Sequence, residues 1–180
     1  MLAYLFLAIA IAVRVMSGTG VFATLGFTPL GAALLFFGSR MSRKHFAVAV
    51  IAVALSDFYL TRIVYGVPLL ADQLIIWAWY IGACFIGYLL KDRVKPLYVG
   101  GAALGSSISF FLISNFAVWA NGLWYPRTWA GLADCYAKAV PFFQRGLASD
   151  LLFSAVFFGA AALIAQARSG VPEHSANRLT

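Results

Sequence analysis

Charged and metal-binding side chains are scarce in this sequence. Only 6 of its 180 residues are acidic, and it has 2 histidines and 2 cysteines. Cys84 lies in an apolar run and Cys135 in a polar connection, so we expect no disulfide between them. His45 and His174 are far from other ligands, which predicts no metal site and no Ser-His-Asp set. There is also no Walker motif, and the sequence predicts no cofactor.

Apolar residues are abundant instead. They make up 63% of the chain, charged residues make up 11%, and the mean hydropathy is +0.89. A soluble domain is about half apolar and about a quarter charged. Because so short a chain has too small an interior to bury the excess, the composition predicts an integral membrane protein.

Six apolar segments follow one another along the chain. They are 2–17, 29–39, 46–65, 71–90, 97–119 and 150–167. Each is predicted to be helical, because lipid cannot satisfy open backbone groups. The second is too short for a ~30 Å hydrocarbon core unless it begins irregularly near Val21. The prediction is an all-α six-helix bundle, with one domain over 1–168 and a disordered cytoplasmic tail over 169–180.

Basic residues predict the orientation in the membrane. One side holds Arg40, Arg43, Lys44, Lys91, Arg93, Lys95, Arg168 and Arg178, and the other holds Arg127, Lys138 and Arg145. The richer side is expected to be cytoplasmic. Both termini are then inside, in the bacterial inner membrane, and loops 18–28, 66–71 and 120–149 face out. Since topology accounts for the basic residues, we do not expect nucleic acid as a partner.

Polar residues within the apolar segments collect in the predicted outer half. Arg14 and Asp57 lie at the same depth with opposite charge, so we predict that they pair, with Arg62 as a competing partner. A purely stabilising ion pair is the alternative, as is Arg62 reaching the outer headgroups. Asn115 lies near the outer surface. Asp72 and Asp150 open the fourth and sixth segments, where they fit helix caps.

The connection 120–149 is long and rich in aromatic residues. Those nearest its start and middle are Trp124, Tyr125, Trp129 and Tyr136. Residues 128–140 are predicted to form a short helix, with Thr128 as N-cap and Pro141 ending it. The segment is interpreted either as an interfacial aromatic belt or as a lid over an outer cavity.

Several strings resemble a family of uncharacterised bacterial membrane proteins. They are FTPLGAALLF, LSDFYL, FFLISNFAVW, YPRTWAGLADCYAKAVPFF and ASDLLFSAVFFG, within residues 24–163. In architecture that family is similar to the S-components of energy-coupling-factor (ECF) vitamin transporters. This likeness implies six helices, a small-molecule site under the outer loops, and docking on a membrane partner through an Ala-x-x-x-Ala face, which Ala8 and Ala12 match.

The leading hypothesis is therefore a small-molecule uptake component. Arg14, Asp57, Arg62 and Asn115 would form the polar floor of its site, and the four aromatic residues of 120–149 would cover it. The partners expected are the lipid bilayer, an unidentified small molecule and an ECF-type energising module. The alternatives are a structural envelope protein and a lipid-modifying enzyme using Asp57 or Asp72. The enzyme is disfavoured because no segment holds two carboxylates at helical spacing.

Overall fold

A computed structural model of the protein describes residues 1–19 and 28–169. Over these ranges the chain forms six α-helices and no strand. The helices are α1 (Leu2–Gly18), α2 (Leu30–Arg40), α3 (Phe46–Phe58), α4 (Asp72–Tyr88), α5 (Pro96–Asn121) and α6 (Trp129–Ser169). The predicted all-α class with six helices is confirmed.

Short helical turns extend α3 at both ends. A 3₁₀ turn, Arg43–His45, leads into it, and a π-helical segment, Tyr59–Val64, continues it. The predicted single segment 46–65 is therefore a helix whose winding changes just after Asp57. Such π segments are rare and are often found near functional sites.

The short helix α2 lies at the centre of the bundle. Its length of 11 residues agrees with the sequence prediction, and nearly all of its side chains are buried. It packs against the other five helices, with Phe36 and Phe37 in its core-facing surface. Its predicted irregular beginning near Val21 falls outside the described residues.

Glycines allow α2 and α4 to approach backbone to backbone. A Cβ added at Gly38 would collide with the carbonyl of Cys84, and one at Gly87 would lie 2.8 Å from the carbonyl carbon of Leu35. Small residues at such crossings permit close helix packing, where dispersion replaces the hydrophobic effect inside lipid.

In the described part of the chain, three helical stretches are long and apolar enough to cross a membrane. They are Arg43–Val64, Pro96–Asn121 and Trp129–Ser169, and α1 and α2 are shorter apolar helices. Large apolar side chains point outward along these stretches, among them Leu55, Leu112 and Leu163. Outward apolar surface on this scale fits a helical membrane protein, in which lipid covers it.

The prediction of an extended loop over residues 120–149 is wrong. The structure has only a short turn, 122–128, and residues 129–149 form the first half of the 41-residue α6. Pro141 lies inside this helix and does not end it. The backbone bond that proline removes is offset by packing on α5, since Phe143 and Tyr136 both contact the Phe111 ring.

The two cysteines are free and buried, and Cys135, which the sequence placed in a connection, lies within α6. Ser169, the first residue of the predicted tail 169–180, is the last residue of α6. The rest of that tail lies outside the described residues.

Candidate functional site

Arg14 and Asp57 form an ion pair, as their predicted depth indicated. Nη2 of Arg14 donates to Oδ1 of Asp57 at 2.6 Å. Arg14 lies one turn before the end of α1, and Asp57 lies one residue before the end of α3. The Asp57 side chain is 2% exposed and the Arg14 side chain 28%, so the arginine is much the more accessible of the two.

Three side chains of α4 complete the hydrogen bonding of Asp57. Its Oδ2 accepts from Gln73 at 3.1 Å, Trp77 at 3.1 Å and Tyr80 at 2.8 Å. With Arg14 on Oδ1, four donors surround the carboxylate, which offsets the cost of burying its charge. Asp57 therefore has little capacity left for another partner.

Sequence reasoning missed these three donors, although a signal for them was present. Residues 73, 77 and 80 are spaced by four and three, which places them on one face of a helix. An apolar helix with donor side chains at that spacing predicts a buried acceptor opposite it.

A cavity of about 480 Å³, called here the Arg14 cavity, opens beside the ion pair. It is lined by Arg14, Ser17, Gly18, Thr28, Asp57, Leu60, Thr61, Tyr65 and Gln73. Ser17, Thr61 and Tyr65, which carry hydroxyl groups, line it together with Arg14. Leu60 and Thr61 belong to the π-helical segment, so the change in winding shapes this wall.

A smaller cavity of about 190 Å³, the Asp150 cavity, shares Arg14, Thr28 and Gln73 with the first. Asp150 does not open α6, as the sequence predicted, but lies in its middle. Its carboxylate accepts from Ser107 at 2.6 Å and from the backbone of Ala32. It thus caps the N-terminus of α2, where a negative charge is stabilised by the helix dipole.

Gly31 makes this cross-helix cap possible. A Cβ at that position would lie 2.8 Å from the Asp150 carboxyl carbon. Asp72, the other predicted cap, is the first residue of α4, and that helix has no side-chain cap hydrogen bond.

Two of the predicted floor residues lie elsewhere. Arg62 is exposed on the π-helical segment and makes no side-chain hydrogen bond or ion pair within the described ranges. It is not a partner of Asp57 there. Asn115 lines a separate groove of about 270 Å³ between α5 and α6, where it donates to the carbonyl of Phe111.

The four predicted lid residues belong to the α5–α6 hairpin and line neither the Arg14 nor the Asp150 cavity. Trp124 and Trp129 are 74% and 85% exposed. Tyr125 lies under the Lys138 ammonium, and Tyr136 donates to the Leu112 carbonyl at 2.7 Å. In this structure the set does not cover the ion pair. Their exposure at the end of a hairpin agrees better with the aromatic-belt alternative.

The predicted docking residues Ala8 and Ala12 are both exposed on α1. They lie one turn apart, away from the buried residues Ala3, Leu7 and Ala10. Within residues 1–19 and 28–169, no three His, Cys, Asp or Glu side chains come together in a way that could hold a metal ion.

Residues 1–173 match the profile of a family of unknown function, DUF6580. The chain belongs to this family. The match covers every described helix and both cavities, so they belong to the region that the family shares. No curated protein matches the chain, and no solved structure does.

Proposed function

We propose that this DUF6580 protein binds a small molecule in the Arg14 cavity and takes part in its uptake across the bacterial inner membrane. The observation that carries the proposal is a buried, highly connected ion pair beside open space in an otherwise apolar bundle. Ionisable residues within membrane helices are costly, and they commonly mark substrate pathways.

The construction of the site supports this function. Asp57 is held by α1 and α4 together, so the floor of the cavity is rigid and preorganised. The π-helical segment beside it provides a wall that an ordinary helix would place differently. Small-molecule sites are typically concave and hold a few preorganised polar groups that fix the orientation of the ligand.

A membrane partner of the ECF type would supply the energy, or transport would be solitary and slower. Ala8 and Ala12 would dock on such a partner, and their exposure leaves that face of α1 free of the other described helices. Ala8→Trp together with Ala12→Trp should then abolish co-purification with a co-expressed ECF module, while Ala148→Trp at an exposed position of α6 should not.

Solute depletion tests the uptake function directly. Cells expressing the protein are compared with cells expressing Ser17→Phe, which fills the Arg14 cavity, and Ser42→Phe, which alters an exposed position at the other end of the bundle. Untargeted mass spectrometry of the medium should show a solute depleted by the wild type and Ser42→Phe only. Identical media and identical extracts of the purified proteins would contradict the proposal.

A structural role in the envelope is the second candidate, and the saturation of Asp57 by four donors favours it. A network satisfied internally can serve only to fix three helices. In that case Ser17→Phe would change neither solute uptake nor any retained molecule.

A further inference from the structure

The guanidinium of Arg14 has donors left over after it binds Asp57. Asp57 is its one side-chain hydrogen-bond partner across the described residues. Its Nε is buried there without any partner. A buried donor left unpaired costs about 1–3 kcal/mol, so an acceptor that completes the guanidinium would bind favourably.

The rest of the Arg14 cavity also favours an acceptor. Ser17, Thr61 and Tyr65 offer hydroxyl donors. Among the described residues of its wall, Asp57 is the only acidic one, and its oxygens already receive four donors. Apart from Asp57, the polar groups on the wall are the Arg14 cation, four hydroxyl-bearing residues and the Gln73 amide, whose nitrogen is already bound to Asp57. Arg14 is the one cation among the described residues of this wall.

Charge separates the two cavities. Asp150 faces the smaller one and would repel an anion there, whereas it does not line the Arg14 cavity. In the Arg14 cavity an anionic group would meet only Asp57, whose charge Arg14 already pairs, whereas in the smaller cavity it would also meet Asp150.

We infer that the ligand is a small organic acid whose carboxylate is bound by the free edge of Arg14. Asp57 does not contact the ligand and acts as a positioning residue that fixes the guanidinium. This inference rests on the proposed binding function and specifies its ligand class. Arginine suits the role because its planar fork can hold a carboxylate and Asp57 at once.

Matched acid–amide pairs provide the test, since each pair differs in charge and hardly in shape. Benzoate with benzamide and hexanoate with hexanamide are titrated into the detergent-purified protein, and binding is followed by the thermal unfolding midpoint and by calorimetry. At least one acid should bind about tenfold or more tightly than its amide, because charge-assisted hydrogen bonds are roughly twice as strong as neutral ones.

Variants show whether Arg14 causes the preference. The double variant Arg14→Gln/Asp57→Asn removes both charges together and so leaves none unpaired. In it the acid and its amide should bind within about twofold of each other. Arg62→Gln removes an exposed arginine that does not line the Arg14 cavity and should keep the wild-type preference. Unliganded unfolding midpoints establish that each variant is folded.

The outcomes separate this inference from the proposed function. If amides bind as tightly as acids and Ser17→Phe abolishes both, the acid class is overturned while small-molecule binding stands. Depletion of only neutral or cationic solutes from the medium would likewise overturn the acid class alone. The inference is also overturned if no member of either pair binds. It is likewise overturned if the preference for the acid survives in the Arg14→Gln/Asp57→Asn variant.

Discussion

The Asp57 carboxylate concentrates most of the polar chemistry of this bundle at one point. Its four donors come from two helices other than its own, so the residue joins α1, α3 and α4. Within a low-dielectric interior these bonds are stronger than in water, and each donor depends on the others for its geometry. The stability of the three-helix contact should respond to this residue more than to its neighbours.

A double-mutant cycle tests that dependence. Asp57→Asn leaves Arg14 without its counter-charge, and removing one partner of a buried pair costs about 3–5 kcal/mol. Because Arg14 is partly exposed, we expect about 2–3 kcal/mol here. Arg14→Gln/Asp57→Asn should cost less than the sum of the two single variants, as measured by unfolding in detergent. Additive losses would show that the two residues do not interact.

Tight crossings and long continuous helices dominate at the scale of elements. The contact between α2 and α4 depends on two glycines, and the hairpin of α5 and α6 depends on aromatic contacts around Phe111. The sequence showed the helices but not these contacts. Glycine is common here, and nothing local distinguishes Gly38 at a crossing from Gly100 in open space.

Gly38→Ala should destabilise the protein by several kcal/mol or prevent folding, since the added Cβ meets the Cys84 backbone, which cannot move aside. Gly100→Ala is the matched control on α5. Its Cβ meets nothing, and alanine favours a helix by up to about 1 kcal/mol. Unfolding midpoints of both variants provide the measurement, and equal midpoints would exclude the close α2–α4 approach.

The continuity of α6 predicts a distance. Spin labels at Ala133 and Leu163 are 30 residues apart on one helix, which corresponds to about 45 Å at 1.5 Å per residue. A bend at Pro141 shortens this slightly. Pulsed electron resonance on a variant with Cys84 and Cys135 replaced by alanine measures it. A distance below about 30 Å would show that α6 is not continuous and would favour the predicted lid over residues 120–149.

Charge is segregated along the length of the whole molecule. Arg43 and Lys91, from two different loops, both lie over the ring of Tyr88 at one end. Arg127 follows α5, whose 26 residues extend about 39 Å from that end. The structure thus brings the richer basic loops together, as an inside face requires.

Accessibility of single cysteines tests this orientation. Trp124→Cys should react with a membrane-impermeant maleimide added to intact cells, because the α5–α6 turn is predicted to face out. Ser42→Cys should react only after the cells are opened. Cys84 and Cys135 are buried and contribute little background. The reverse pattern would place both termini outside.

The sequence by itself determined the class of the protein, its helix count and the pairing of Arg14 with Asp57. Composition, the length of the apolar runs and the position of a residue along its helix do not depend on which helices are neighbours, and they are sufficient for those results. Tertiary structure alone decided that α6 continues through Pro141, that Asp150 caps α2, and that α4 supplies three donors to Asp57. Each of these depends on a neighbouring helix that compensates a lost bond or accepts a charge, and no local pattern specifies which helix will be the neighbour.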